Sequence, residues 1–174
     1  MTTRIAIIRN VTAMDNIGLK HLVPGVRNAA RGVIVRDDQL LVLHNRGDDG
    51  AERFALPGGA QDLGETLAQT LQRECLEEIG TAVTIGPLLH VADYFKPRQS
   101  EPSAVRHQVE FLFACDVPAD YQPMMGHHPD KRQIGVVWTS LRDLATLPLS
   151  PASLRELLVN GESDTAPLYL GVIE

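Results

Sequence analysis

Residues 59–81 read GAQDLGETLAQTLQRECLEEIGT, and within them Glu74, Glu77 and Glu78 stand at offsets of three and four. A helix turns roughly 100° per residue, so these positions share one face with Cβ atoms about 5 to 6 Å apart. Two unit charges about 4 Å apart repel by roughly 1 kcal/mol in water and about 4 kcal/mol near a protein surface, so stability alone does not favour the cluster. A hard divalent cation removes the penalty, because Mg²⁺ takes oxygen ligands and combines one or two carboxylates with waters and substrate phosphates. The ends of the helix are marked. Thr66 and Gln69 form a T-x-x-Q capping box, and Gly80 suits a left-handed C-terminal position. On a helical projection Leu67, Ala68, Leu71, Cys75 and Ile79 make one apolar sector, and the three acids run along its edge.

The flanking sequence is rich in strand signals. Residues 4–11 alternate and precede Gly18, Pro24 and Gly25, which predicts an N-terminal arm or edge strand over 1–28. Residues 31–36 and 39–44 are apolar runs separated by Asp37-Asp38, the pattern of a hairpin, and a loop, HNRGDDGAER, follows. Residues 83–95 and 106–117 read as strands joined by KPRQSEPSAV; His107, Val109, Phe111, Phe113 and Cys115 share one face of the second, and Glu110 points the other way. A Gly/Pro/His loop at 118–130 leads to a last strand, 133–139, and a short helix near 141–147. Ser150-Pro151 predicts the start of another helix with Leu154, Leu157 and Leu158 on its apolar face. Residues 161–174 form a tail with no assigned element. Strands and helices without regular βαβ alternation predict an α/β fold with a mixed sheet between helices.

A chain of 174 residues is expected to be one main domain, here 29–160, burying about 70% of the surface that its unfolded form exposes. Two cysteines, Cys75 and Cys115, both within apolar patterns, do not make a secreted disulfide framework. A reducing cytoplasm is therefore expected, and no signal-peptide h-region or membrane-spanning run is found. A formal charge of -6 argues against binding a nucleic-acid polymer, which requires a basic footprint. A small nucleotide remains compatible with an acidic chain where a metal bridges the two.

The segment 59–81 resembles the Nudix box, G-x5-E-x7-R-E-U-x-E-E-x-G-U, with U a bulky aliphatic residue. Gly59, Glu65, Arg73, Glu74, Glu77, Glu78 and Gly80 fill its fixed positions, Cys75 serves as a small hydrophobe, and Thr81 departs from the aliphatic pattern. The resemblance implies a Nudix-type α/β/α sandwich and metal-dependent hydrolysis of a nucleoside diphosphate linked to another moiety, with Mg²⁺ as cofactor and Mn²⁺ as a substitute. It implies metal ligation by Glu74, Glu77 and Glu78, joined by a carbonyl of the Gly58-Gly59 turn. Arg73 matches the arginine that orients acidic side chains, and Glu65 an acid that supports the helix. In such chemistry metal ions neutralise phosphate oxygens and lower the pKa of a water that attacks phosphorus in line.

Many relatives place a further glutamate about five residues before the tryptophan of the last strand; counting back from Trp138, the residue is Gln133, which carries no charge. Glu74 or Asp130 is the expected base, with His127, His128 and Glu110 as substitutes. Tyr94 and Phe95 are the candidates for stacking on a substrate base. Pro97, sixteen residues after Thr81, has a placement similar to the marker of ADP-ribose pyrophosphatases, without further support around it. ADP-ribose or a nucleotide sugar is thus expected slightly ahead of a nucleoside triphosphate. The alternative is a non-catalytic Nudix domain that binds a nucleotide and regulates a partner; an intact acid set favours the enzyme. Isomerase chemistry on an isoprenoid diphosphate needs a cysteine and acids not located here. Dimers are common among relatives, so the N-terminal arm is expected to pair with a second subunit or to close over the substrate.

Overall fold

The computed structural model describes residues 22–98, 104–159 and 167–174; the predicted strand at 4–11 and most of the arm lie outside them. Strands β1 (Arg27–Arg36) and β2 (Gln39–Arg46) form the predicted hairpin. Its turn residues Asp37 and Asp38 have φ of 50° and 58°. Two consecutive positive φ values give a turn whose twist matches the strands it joins, and aspartate tolerates that conformation better than most residues.

Two short strands follow where the sequence suggested loop, β3 (Glu52–Ala55) and β4 (Gly58–Ala60). They form because β2 and β1 offer free edges: β3 pairs with β2 from Leu43↔Ala55 to Arg46↔Glu52, and β4 pairs with β1 from Ala29↔Ala60 to Arg31↔Gly58. Helix α1 (Leu67–Ile79) begins with the predicted Thr66/Gln69 capping box and ends at Gly80, whose φ is 70°. Strands β5 (Thr84–Pro97) and β6 (Val105–Asp116) pair antiparallel, β6 runs parallel to β1, and β7 (Gln133–Ser140) adds to β2. The expected helix near 141–147 is only a 3-10 turn at Leu141–Asp143, and α2 (Leu154–Val159) starts later than Pro151. The tail contributes β8 (Tyr169–Ile173), parallel to β5. The resulting order is β3-β2-β1-β6-β5-β8, with β4 on β1 and β7 on β2.

Alternation along the central strands divides the interior in two. Ala30, Ile34, Leu41, Leu43 and Cys115 turn toward Leu71, Cys75 and Ile79 of α1. Val33, Leu40, Val42 and Leu112 turn toward Leu144, Leu149 and Leu154 on the α2 side. This is an α/β/α sandwich around a mixed sheet. One position of the predicted α1 stripe differs: Ala68 is exposed, and Thr70 is fully buried in its place, its hydroxyl donating to Glu65 at 2.9 Å. Both cysteines are free and buried. Burial pushes the Cys115 thiol up to about 11 and the Cys75 thiol higher still, consistent with small core residues. Trp138 packs against the α1 core with the Arg36 guanidinium 5.2 Å from its ring centre, an anchoring role. Among the described residues no helix is long and apolar enough to cross a membrane.

Candidate active site

The carbonyls at the end of α1 are satisfied by the loop before β7, which fixes the acid-bearing helix in place. Backbone N–H groups of Gly126 and His128 donate to Glu78 and Glu77 carbonyls at 3.1 and 3.2 Å, and the Tyr121 hydroxyl donates to Ile79 at 2.9 Å. Gln133 also serves this purpose: its amide donates to the Glu78 carbonyl at 2.7 Å from a buried position. The residue expected to be an acid is therefore part of the clamp on α1. His127 and His128 are exposed and pack edge to face on each other.

The three glutamates do not meet at one point as their spacing suggests, because Arg73 bridges Glu74 and Glu77 while Glu78 turns inward to Gly58. The Arg73 guanidinium donates to both oxygens of Glu65 at 2.7 and 3.0 Å, to Glu74 at 2.8 Å and to Glu77 at 3.3 Å. A two-pronged contact of this kind is the strong form of an ion pair. It holds the Glu65 carboxyl down at about 2 and raises the guanidinium further above its ordinary value. Glu77 stays on this outer side. Glu78 turns inward and is only 4% exposed; its carboxylate accepts the Gly58 N–H at 2.8 Å. Burial pushes Glu78 up to about 8, although the Gly58 hydrogen bond and Arg31 pull the other way. Glu74 is raised too, by burial first, against the pull of Arg73.

Gly58 and Gly59 make this convergence sterically possible. A Cβ at Gly58, whose φ is 121°, would lie 2.1 Å from the Ala30 carbonyl oxygen, and one at Gly59 would lie 2.4 Å from the Glu74 carboxylate. The two glycines thus predict different outcomes. Gly58→Ala meets backbone and is expected to destabilise the fold by several kcal/mol, a strained-backbone effect. Gly59→Ala meets the end of a movable side chain; thermal unfolding should shift by only a few degrees while turnover falls at least about tenfold through displacement of Glu74. Equal losses of stability in the two variants would refute this distinction.

Glu74 and Glu78 open onto a cleft of about 650 Å³, within the range that accommodates a nucleotide-sized ligand. Gly58, Gly59, Tyr94, Pro97 and Asp130 line it as well, whereas Glu65, Arg73, Glu77 and Phe95 do not. Strand alternation separates the two aromatic candidates: Tyr94 faces the cleft, and Phe95 stacks on His107, centroids 4.5 Å apart, on the other side of β5. The cleft also holds a sheltered ion pair not anticipated as a pair. Arg31 donates to Glu110 at 2.9 Å and to the Gly58 carbonyl, and Gln108 donates to the second Glu110 oxygen at 2.9 Å. Burial opposes the Arg31 charge, but Glu110 outweighs it and the pKa is raised. The sequence signal for this pair was the carboxylate of Glu110 set against the apolar alternation of β6.

The residues at the glycine turn fit a hard divalent cation. Glu78 offers carboxylate lone pairs beyond its one bond to Gly58, Glu74 lies beside Gly59, and carbonyl and carboxylate oxygens are the donors that Mg²⁺ and Mn²⁺ favour. Among the described residues no three histidine, cysteine or acidic side chains already surround a common point. Arg73 engages Glu77 on the far side, which accounts for that arrangement.

A helix that delivers buried acids to a glycine turn beside a cation-walled cleft, on an α/β/α sandwich, defines a domain of Nudix type. A family model described as NUDIX domain matches residues 26–159. The chain belongs to the Nudix family. It is 33% identical over 89 residues to an ADP-ribose pyrophosphatase of Methanocaldococcus jannaschii, covering 51% of this chain and 50% of that protein. It is 30% identical over 94 residues to a putative ADP-ribose pyrophosphatase of Bacillus subtilis, covering 54% and 43%. The chain therefore matches half or less of the length of these curated relatives. The crystal structure of a MutT NUDIX hydrolase from Burkholderia pseudomallei superposes with a TM-score of 0.61 at 25% identity, covering 80% of this chain and 99% of that one.

Proposed function

We propose that this chain is a pyrophosphohydrolase that uses Mg²⁺, with Mn²⁺ as a substitute, to cleave the diphosphate linkage of a nucleoside diphosphate derivative. The observation that carries the reading is the meeting of Glu74 and Glu78 with the Gly58-Gly59 turn at a cleft walled by Arg31, Arg53 and Arg132. A diphosphate with its counter-cation matches both features, because its oxygens face cationic side chains while the cation faces the acids. The names of the two curated relatives favour ADP-ribose over a nucleoside triphosphate, and a nucleotide sugar stays within the same class of linkage.

Glu78 and Glu74 would hold the ion, with Glu77 reaching it from the Arg73 side; the Gly58 carbonyl, expected to join them, is engaged by the Arg31 guanidinium instead. The ion supplies charge neutralisation to the diphosphate and makes water more acidic. Arg73 and Glu65 orient the acids from outside the cleft, and Tyr94 offers a face for the nucleobase. In the reaction a water oxygen bonds to one phosphorus, the bridging P–O bond breaks, and the water proton passes to Glu74 or Asp130.

A phosphate-release screen across nucleotide classes, with and without Mg²⁺, tests the reading. Metal-dependent release from a nucleoside diphosphate derivative is expected. Tight nucleotide binding with no turnover under any metal would assign the chain to the non-catalytic alternative. Glu74→Gln and Asp130→Asn divide the base assignment: the group that takes the proton should lower kcat by about 10²-fold or more, and unchanged turnover in both would remove both from the role.

A further inference from the structure

Three of the seven cations that line the cleft have a carboxylate partner, and the other four, Arg27, Lys96, Arg98 and Arg106, belong to the first residues of β1 and to the β5 and β6 ends that meet there. Arg31 pairs with Glu110 at 2.9 Å, Arg53 with Asp49 at 2.6 Å, and Arg132 with Asp48 at 2.5 Å. Lys96 and Arg106 also line the cleft, stand directly opposite each other in the β5–β6 register, and have no carboxylate within ion-pair distance among the described residues. Arg27, at the start of β1 opposite Gln108, lies on the same wall. Like charges set directly across a strand pair are unfavourable. Burial lowers the Lys96 pKa first and the Arg31 charge lowers it further, while the charges of Glu110 and Asp130, neither within ion-pair distance, pull the other way. In a chain of net charge -6, an unneutralised cationic cluster facing a cleft is a place for an anion.

Its position specifies which anion. Arg106, Gln108 and Glu110 alternate on the cleft face of β6, so Arg106 lies four residues from Glu110, roughly 13 Å along the strand. Glu110 is tied through Arg31 to Gly58, and Gly58 to Glu78. At the level of the backbone that span exceeds the separation of adjacent phosphates and corresponds to a sugar-sized spacer. We infer that Lys96 and Arg106, assisted by Arg27, form a second anion subsite that selects substrates whose moiety beyond the scissile diphosphate carries its own phosphate or carboxylate. This rests on the pyrophosphohydrolase reading and narrows its substrate class from nucleotide sugars in general to anionic ones.

Paired substrates differing in that one group provide the test. UDP-glucuronate is compared with UDP-glucose, and a 5-phosphorylated ADP-ribose analogue with ADP-ribose, by Mg²⁺-dependent kcat/KM and by calorimetric binding to metal-free protein. The wild type should prefer an anionic member at least about tenfold, chiefly through KM, equivalent to about 1.4 kcal/mol. In the Lys96→Gln/Arg106→Gln variant the ratio should fall toward one. Preference only in the first pair assigns a carboxylate, and only in the second a phosphate. Turnover of both pairs without preference, or a ratio unchanged in the variant, overturns the subsite and leaves the hydrolase reading standing. A binding preference that the variant removes, without turnover of any diphosphate, upholds the subsite and overturns the hydrolase reading. No binding and no turnover overturns both.

Discussion

Glu78→Gln is expected to abolish metal-dependent turnover, by about 10² to 10³-fold or more, while making the metal-free protein more stable at pH 8. The two effects have one cause. Glu78 is buried, and its folded-state pKa of about 8 lies above the 4.5 of an unperturbed glutamate. A carboxyl whose pKa is raised on folding binds its proton more tightly in the folded state, so its contribution favours folding at low pH. That contribution is lost as pH rises from about 4.5 through about 8. Each tenfold change in proton affinity is worth roughly 1.4 kcal/mol, so the charged form burdens the metal-free fold by several kcal/mol. Glutamine keeps an acceptor for the Gly58 N–H and removes the charge. It should therefore flatten the loss of stability between pH 4.5 and 8 in metal-free protein. Added Mn²⁺ should raise the wild-type unfolding temperature and have little effect on the variant. Thermal unfolding at several pH values, with and without metal, checks all three outcomes; a variant that still gains stability from metal and still turns over would remove Glu78 from the centre.

Arg31→Ala is expected to have the largest cost in stability, about 3 to 5 kcal/mol, because it leaves the buried Glu110 carboxylate without its cation. The pair is sheltered, with side chains 18% and 3% exposed, so solvent screening offers little relief. For a chain of this size the loss corresponds to a fall of roughly 10 °C in the unfolding temperature. Activity should fall as well in the fraction that remains folded, since Arg31 also holds the Gly58 carbonyl on which the glycine turn depends. The double variant Arg31→Met/Glu110→Gln should recover part of the stability, because neither buried charge remains. Denaturant titration measures both variants, and a single-variant loss below about 1 kcal/mol would show that the pair is not the structural floor of the cleft.

What is legible in the sequence follows the range of the interactions involved. Helix α1 was legible because Thr66, Gln69 and Gly80 act within one helical turn of its ends. The β1–β2 turn at Asp37-Asp38 was legible for the same reason. Strands β3, β4 and β8 were missed because each is short and forms only where a partner strand supplies hydrogen bonds from a distant part of the chain. The pairing of Tyr94 and Phe95 as stacking residues ignored the alternation that sends Phe95 to His107 instead.

The sequence by itself determined the helix, its row of acids and, through the resemblance of seven residues to the Nudix box, the kind of chemistry to expect. Local spacing suffices for this, since residues three and four apart on a helix meet whatever surrounds them. Only the tertiary structure decided that Arg73 draws Glu77 outward, that Glu78 is buried beneath Gly58, and that Arg31 and Glu110 join across 79 residues of sequence. It also decided that Lys96 and Arg106 face one another without a carboxylate among the described residues. Burial and partner identity depend on strand register and on how α1 lies against the sheet, and these are set by contacts between segments far apart in the chain.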